Sequence, residues 1–163
     1  MRSKTPLISI VVCSYNGASC IKDTLMSVMD QKYKGKYETI VVDDGSNDDT
    51  YKIAKTFKKI KAIKNKENKG LAESRNIGIK AAKGDIIAFT DDDCILRQTW
   101  LKEIVAGYKN DKVLGVGGPV ISTDKHSLIL RYLNASQPHK PLENNLLKST
   151  SLVYRFWLYL KGL

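Results

Sequence analysis

The stretch "IIAFTDDDCI", from Ile86 to Ile95, ends an apolar run in three consecutive aspartates, Asp91, Asp92 and Asp93. The apolar part predicts a strand that is buried on both faces of a sheet. Adjacent carboxylates repel and raise one another's pKa values, so a compensating partner is expected. Carboxylates at a strand end form an oxygen-rich site that suits Mg²⁺ or Mn²⁺. The alternative is a solvated loop that caps a helix beginning near Gln98.

Similar apolar runs alternate with helical periodicities along the chain. Strands are predicted over 7–13, 38–42, 60–65, 85–91 and 113–122, and helices over 19–31, 47–57, 71–82 and 99–110. Ser19 is a candidate N-cap of the first helix. This alternation predicts an α/β fold with a mostly parallel sheet flanked by helices. Ligands of such sheets bind at the carboxyl ends of the strands.

Polar residues follow three of these strands directly, as "CSYN" at 13–16, "DDGS" at 43–46 and "TDDD" at 90–93. Because parallel strands end at the same edge, we expect the three segments to lie close together. Asp43 and Asp44 could accept hydrogen bonds from a nucleotide base or ribose, or could cap the next helix, whose start follows Ser46 and Asn47. Arg75 could bind a phosphate or form a surface ion pair.

The composition narrows the partners of the chain. The 163 residues carry a net charge of +10, with eight lysines between positions 52 and 69. Anionic lipid, phosphorylated small molecules and nucleic acid are the usual partners of such charge, although it could also be a solvated surface. Few aromatic residues are interleaved with the lysines, and zinc-finger and RNA-binding signatures are missing, so no nucleic-acid partner is expected.

The cysteines and the N-terminus indicate a compartment. Cys13, Cys20 and Cys94 form no Cys-x-x-Cys pair, which is typical of a reducing environment. The sequence contains neither a signal-peptide pattern nor an apolar run of the roughly 20 residues that span a bilayer. The expected location is cytoplasmic, at the inner face of the plasma membrane if the chain binds lipid.

The last part of the chain has a different pattern, because the alternation stops after Ser122. We therefore divide the chain into a main domain, 1–124, and a helical tail, 125–163. The segment "LLKSTSLVYRFWLYLKGL" at 146–163 predicts an apolar, aromatic helix with two basic residues. Such a helix could pack on the core, join two copies of the chain or lie on a membrane surface.

Three segments together, "ISIVVCSYNGASCIKDTLMSVMDQKY", "YETIVVDDGSNDDT" and "NKGLAESRNIGIKAAKGDIIAFTDDDC", resemble glycosyltransferase family 2. The resemblance covers roughly residues 7–122 and implies the GT-A fold. It also implies transfer of a sugar from a nucleotide-sugar donor to an acceptor, with inversion at the anomeric carbon and a divalent cation, Mg²⁺ or Mn²⁺. By family frequency the donor is a UDP-sugar, with guanosine and thymidine nucleotides left open.

The resemblance implies roles for individual residues. Asp44 matches the base-binding aspartate of the family, and Arg75 matches a residue near the base and diphosphate, with Asn68 and Gly70 in the same pattern. The segment that matches the first nucleotide contact of the family comprises Cys13, Ser14, Tyr15 and Asn16, and Tyr15 is expected to stack on the base. The segment "TDDD" matches the DxD motif of the family. In that motif, Asp91 and Asp93 are the outer pair and the expected metal ligands. Asp91 and Asp92 are also expected to contact the nucleotide, with Asp92 meeting the ribose or sugar.

The chain departs from the family pattern in three places. Cys94 occupies a position where the family usually has aspartate, and Ser74 occupies one where alanine is usual. The acidic segment that holds the general base has no counterpart between His126 and Leu163, where Glu143 is the only acid. The chain is thus expected to be a fragment, a truncated product or a degenerate donor-binding domain, without its catalytic base.

Two other functions fit parts of the sequence. A nucleotidyltransferase shares the architecture, but the glycine-rich first loop with an arginine that is typical of that class is replaced here by "CSYNGAS". A basic binding module for nucleic acid or anionic membranes would need no metal and would bind with a steep salt dependence. For the glycosyltransferase, the expected partners are a nucleotide sugar and a glycan or lipid-linked acceptor.

Overall fold

The structure is a computed structural model that describes residues 5–108, 113–118 and the backbone of 158–160. Five strands and four helices lie within these ranges. In chain order they are β1 (Ile8–Ser14), α1 (Ile21–Met29), β2 (Tyr37–Asp43), α2 (Thr50–Thr56), β3 (Ile60–Lys64), α3 (Leu71–Ala81), β4 (Ile86–Asp91), α4 (Trp100–Gly107) and β5 (Leu158–Leu160).

The strands form one sheet in the order β3-β2-β1-β4-β5. The first four are parallel, and β5 pairs antiparallel to β4. Ser14 lies opposite Asp43, and Cys13 lies opposite Asp91. The carboxyl ends of β1, β2 and β4 therefore meet at one edge, which confirms the α/β prediction and the convergence of the three polar segments.

Helices cover both faces of the sheet, which explains why the strand sequences are continuously apolar. One face packs against α1, α2 and α4, and the other packs against α3. On the α3 side, a Cβ added to Gly78 would lie 2.4 Å from Cγ1 of Val11, so this glycine allows the helix to approach β1 closely. The sheet is thus the rigid platform on which the loops at its carboxyl edge are mounted.

Three sequence predictions about elements were wrong. Residues 113–118 of the predicted fifth strand have no regular structure, consistent with the low strand preference of Gly115, Gly117 and Gly118. Ser19 does not cap α1, whose N-cap residue is Cys20 and makes no side-chain capping bond. Leu158–Leu160, predicted as part of a helix, is β5 instead, where it pairs with backbone groups of β4 that would otherwise be exposed at a sheet edge.

The other predictions about the tail lie outside the described residues. They are the fold of 125–157, self-association through a C-terminal helix, and the lack of a general base. None of the described helices has the length and hydropathy that crossing a bilayer requires.

Candidate functional site

The metal ligands expected from the sequence lie together at the end of β4. One ligand atom from each of Asp91, Asp93 and Cys94 lies within 4.8 Å of the other two. Asp93 is exposed, and Cys94 is buried with Sγ 3.5 Å from Oδ1 of Asp93. The capping alternative is wrong, since α4 begins later, at Trp100, after an N-cap residue that is Thr99.

The donor chemistry of this cluster suits a hard cation. Burial, and next the charge of Asp93, raise the pKa of the Cys94 thiol to about 11. The thiol is therefore protonated at neutral pH, and the charged donors are carboxylate oxygens. Two carboxylates with room for phosphate oxygens are a common arrangement for Mg²⁺ and Mn²⁺. The residues at this turn thus fit the cation that the sequence resemblance implies.

Arg75 lies beside the carboxylate turn. Its Nη2 atom is 3.6 Å from Oδ1 of Asp91, and both side chains are about one-quarter exposed, at 25% and 23%. The guanidinium also lies 5.8 Å from the ring centroid of Phe89. The ion-pair alternative for Arg75 is thus correct, but the pair lies within the site. Its position next to Asp91 leaves Arg75 near any anion that a metal at this turn would attract.

Asp44 caps a helix, but a different one from the helix next to it in sequence. Its Oδ1 accepts hydrogen bonds from the Lys69 N–H at 2.9 Å and the Asn65 side chain at 2.7 Å, and its Oδ2 accepts one from the Gly70 N–H at 2.8 Å. Gly70 is the N-cap residue of α3. The carboxylate therefore stabilises the positive end of α3 and fixes the loop that leads to Arg75.

Hydrogen bonding decides the ionisation of Asp44. Burial, the largest influence, raises the pKa of this carboxyl group, which is 4% exposed. The combined hydrogen bonds from Lys69, Asn65, Ser74 and Gly70 outweigh burial and lower the pKa below its ordinary value. Asp44 is therefore a buried carboxylate at neutral pH, and Ser74, the departure from the family pattern, belongs to its hydrogen-bonding environment.

The loop between β1 and α1 is held by the loop between β2 and α2. The N–H groups of residues 16, 17 and 18 donate to Ser46 Oγ at 2.9 Å, Thr50 Oγ1 at 2.9 Å and Asp48 Oδ2 at 3.0 Å. Asn16 has a φ of 52° and accepts a bond from the Asn47 N–H through its side chain. This clamp fixes the backbone beneath Tyr15, whose side chain is 48% exposed at the carboxyl edge.

Cys13 and Ser14 lie beneath this loop. Cys13 is 9% exposed, and burial raises the pKa of its thiol to about 12, against the opposing effect of Arg75. Ser14 is 4% exposed, and its hydroxyl donates to Oδ2 of Asp92. One oxygen of the partly buried Asp92 carboxylate is thus bonded to Ser14, and the contact with ribose or sugar that the sequence resemblance implied stays a prediction.

Sequence reasoning missed three residues of this site, Gly17, Thr24 and Asn65. Thr24 donates from Oγ1 to the backbone carbonyl of Asp92 at 2.6 Å, and Asn65 is a buried donor to Asp44. A buried Thr in the apolar stripe of α1 and a polar residue directly after β3 were visible signals. Their partners, however, are far away in sequence and could not be read from local patterns.

Comparison with known proteins tests this assignment. The model of the family described as Glycosyl transferase family 2 matches residues 9–159. This chain belongs to glycosyl transferase family 2. The match includes the ends of β1, β2 and β4, and therefore every residue of the site described above.

Curated family 2 relatives are longer than this chain. Glycosyltransferase AglE of Haloferax volcanii is 38% identical over 125 residues, which are 74% of this chain and 41% of AglE. The UDP-Glc:alpha-D-GlcNAc-diphosphoundecaprenol beta-1,3-glucosyltransferase WfaP of Escherichia coli is 44% identical over 89 residues, which are 53% of this chain and 35% of WfaP. The chain thus spans less than half the length of these relatives.

Solved structures of similar fold contain bound nucleotide sugars. The mannosyltransferase PcManGT from Pyrobaculum calidifontis, in complex with GDP-Man and Mn²⁺, has a TM-score of 0.65 and 27% identity, over 71% of this chain and 36% of PcManGT. The S. aureus TarS complex with UDP-GlcNAc has a TM-score of 0.60 and 28% identity, over 70% of this chain and 37% of TarS. These similarities confirm the GT-A fold for the chain.

Proposed function

We propose that this chain is the nucleotide-sugar-binding part of an inverting, metal-dependent glycosyltransferase that uses a UDP-sugar. The convergence of Tyr15, Asp44, Arg75 and the Asp91–Asp93 pair at one edge of the sheet is the observation that carries the proposal. The exposed ring of Tyr15 suits the base, the guanidinium of Arg75 suits the diphosphate, and the carboxylates of Asp91 and Asp93 suit the metal ion that accompanies it. The UDP-GlcNAc bound to TarS and the UDP-Glc in the name of WfaP favour uridine over guanosine.

Each side chain has a distinct role in this proposal. Tyr15 stacks on the base, and Asp44 holds the loop at 65–70 against it through bonds to Lys69 and Gly70. Arg75 is placed to bind the diphosphate, which leaves with increasing negative charge as the anomeric carbon gains oxocarbenium character. Asp91 and Asp93 would hold the cation, which when bound supplies Lewis-acid stabilisation of the leaving diphosphate.

Calorimetric titration of the chain with UDP, with and without Mn²⁺, tests the proposal. We expect saturable binding to UDP that Mn²⁺ tightens by about 10-fold or more, because a cation held by Asp91 and Asp93 would attract the diphosphate. GDP and TDP in parallel titrations report base preference, and UDP is expected to bind most tightly. Lack of binding to all three nucleotides in the presence of Mn²⁺ would contradict the proposal.

Substitution of Tyr15 by alanine tests the stacking role. Because nearly half of this side chain is exposed, we expect no loss of folding stability. A stacked base contributes about 1–3 kcal/mol, so UDP affinity should fall by about 10-fold, equally with and without Mn²⁺. Tyr15→Phe, measured in the same titrations, should bind as the wild type does. An unchanged affinity of Tyr15→Ala would remove Tyr15 from the site.

The acceptor is proposed to be a glycan or a lipid-linked sugar. The name of WfaP specifies a diphosphoundecaprenol-linked acceptor, and that of a 31% identical Haloferax volcanii relative specifies a glucosyl-dolichyl phosphate. Such acceptors lie at a membrane. The eight lysines between positions 52 and 69 are all exposed, with Glu67 as the only acid in that range, and they support a peripheral position at an anionic bilayer.

Vesicle sedimentation checks the membrane proposal. The chain should sediment with vesicles that contain anionic lipid at low salt and should be released as the salt concentration increases. It should not bind neutral vesicles. The triple substitution of Lys58, Lys59 and Lys61 by glutamate should reduce sedimentation by about 10-fold or more, since each lysine near the surface contributes about 1 kcal/mol. A wild-type chain that stays in the supernatant at low salt would rule out this surface.

A further inference from the structure

Asp92, the middle residue of the aspartate triplet, is hydrogen-bonded to both β1 and α1. Its Oδ2 accepts the hydroxyl of Ser14, at the end of β1. Its backbone carbonyl accepts the hydroxyl of Thr24, on α1, at 2.6 Å. Both bonds cross from the turn at 91–93 to the segment that carries Tyr15. One residue therefore joins the metal-binding turn to the proposed nucleotide loop from the inside.

Gly17 provides the space for this carboxylate. A Cβ added at Gly17 would lie 2.1 Å from Oδ2 of Asp92 and 2.5 Å from Oγ of Ser14. Gly17 is not among the glycines with positive φ, so its backbone conformation is open to other residues. A side chain at position 17 would therefore have to displace the Asp92 carboxylate and the Ser14 hydroxyl.

We propose that Asp92 is a positioning residue that couples metal binding to nucleotide binding, an inference that rests on the function proposed above. Asp91 and Asp93 flank it in sequence, so the bonds of Asp92 help to hold the turn that carries both carboxylates. Groups that orient metal ligands change metal affinity by about 10- to 100-fold when they are removed. Because the same bonds join this turn to Ser14 and Thr24, on either side of the Tyr15 loop, nucleotide and cation should each bind more tightly in the presence of the other.

Three binding constants per variant test the proposal: UDP alone, UDP with saturating Mn²⁺, and Mn²⁺ alone. The first two come from calorimetry, and the third comes from the electron paramagnetic resonance signal of free Mn²⁺. For Asp92→Ala we expect the affinity for Mn²⁺ to fall by about 10-fold. We also expect Mn²⁺ no longer to increase the affinity for UDP. UDP affinity without metal should change by less than about 3-fold, since the bonds from the N–H groups of residues 16–18 to the loop between β2 and α2 still hold Tyr15.

Asp92→Asn separates positioning from direct ligation. Its amide oxygen can still accept the Ser14 hydroxyl, so all three constants should stay within about 3-fold of the wild type. A residue that bound the cation directly would lose affinity equally in Asp92→Asn and Asp92→Ala. Equal losses in the two variants would therefore overturn the positioning role, and so would wild-type coupling in Asp92→Ala.

Gly17→Ala tests the same contact from the opposite side. The added methyl group displaces the Asp92 carboxylate, so its effects should match those of Asp92→Ala. Gly118→Ala is the control, because a Cβ there meets none of the described residues within 4 Å. Thermal unfolding of each variant verifies that the chain remains folded. Wild-type coupling in a folded Gly17→Ala variant would also overturn the proposal.

The Mn²⁺ readout separates this inference from the proposed function. If Asp92→Ala weakens Mn²⁺ binding and the wild type binds no nucleotide, the proposed function fails and the positioning of the metal turn by Asp92 is supported. If the wild type binds UDP with Mn²⁺ and Asp92→Ala does so equally well, only the positioning role fails. A wild type that binds neither Mn²⁺ nor UDP overturns both.

Discussion

Substitution of Asp93 by alanine is expected to abolish the metal dependence of UDP binding, so that UDP binding in Mn²⁺ weakens by the whole tightening of about 10-fold or more. Asp93 is the exposed member of the Asp91, Asp93 and Cys94 cluster. Removal of a group that only orients a metal ligand already lowers metal affinity by about 10- to 100-fold, and removal of the ligand itself should lower metal affinity further. Asp91, paired with Arg75, cannot replace it, because one carboxylate attracts a divalent cation much less than two.

Calorimetric titration with UDP, with and without Mn²⁺, measures this effect. Asp23→Ala is the matched control, since it removes an exposed carboxylate from the first turn of α1 without altering the cluster. The control should retain the wild-type response to Mn²⁺. If Asp93→Ala also retained that response, the cation would be bound elsewhere and the assignment of this turn would be wrong. UDP affinity without metal should be the same in all three proteins, which verifies that the site is intact.

Asp44→Asn is expected to lower the free energy of unfolding by about 3 kcal/mol, because hydrogen bonds to a charged group contribute about 1.5–3 kcal/mol each and several are altered. The amide group presents a donor to the Lys69 or Gly70 N–H, which cannot accept it. For a chain of this length the melting temperature should fall by roughly 10 °C. UDP affinity should fall as well, since the loop at 65–70 leads into the helix that carries Arg75.

Urea unfolding at several pH values checks the cause. The folded-state pKa of Asp44 is lowered, so its stabilisation is fully present above the unfolded-state pKa of about 3.9 and is lost as the pH falls through the folded value. The stability difference between wild type and Asp44→Asn should therefore be largest at neutral pH and should shrink below about pH 4. Asp49→Asn, at an exposed ion pair with Lys52, is the control and should change little at any pH. A pH-independent difference would attribute the loss to packing instead of charge.

Most of the fold could be predicted from the sequence, because strands buried on both faces leave a strong apolar signal. The runs at β1, β2, β3 and β4 are bounded by polar turns, and the helices between them have clear periodicity. The failures lie where that signal is weak. A glycine-rich apolar run at 113–118 resembles a strand, and an aromatic segment that includes Leu158–Leu160 has a helical pattern although its backbone pairs with β4.

The candidate site was predictable as a location but not as a set of contacts. Parallel topology alone predicts that segments after β1, β2 and β4 meet, and the structure brings them together. Asp44, in contrast, accepts bonds from the N–H groups of Lys69 and Gly70 at the start of α3 and not from the next helix, and its base-binding role stays a prediction. The bond from Ser14 to Asp92 could not be predicted either, and the expected contact of Asp92 with the nucleotide stays a prediction.

The sequence by itself determined the family, the alternation of strands and helices, and the acidic turn that suits a divalent cation. Each of these is recorded in local order, as a period, a motif or a charge pattern. Only the tertiary structure decided which buried donors satisfy Asp44 and which way Asp92 points. The hydrogen bond between Ser14 and Asp92 joins residues 78 positions apart. Ser14 and Asp92 become partners because of the register between β1 and β4 and because Gly17 leaves space for the carboxylate. A local sequence pattern predicts neither the register nor the space.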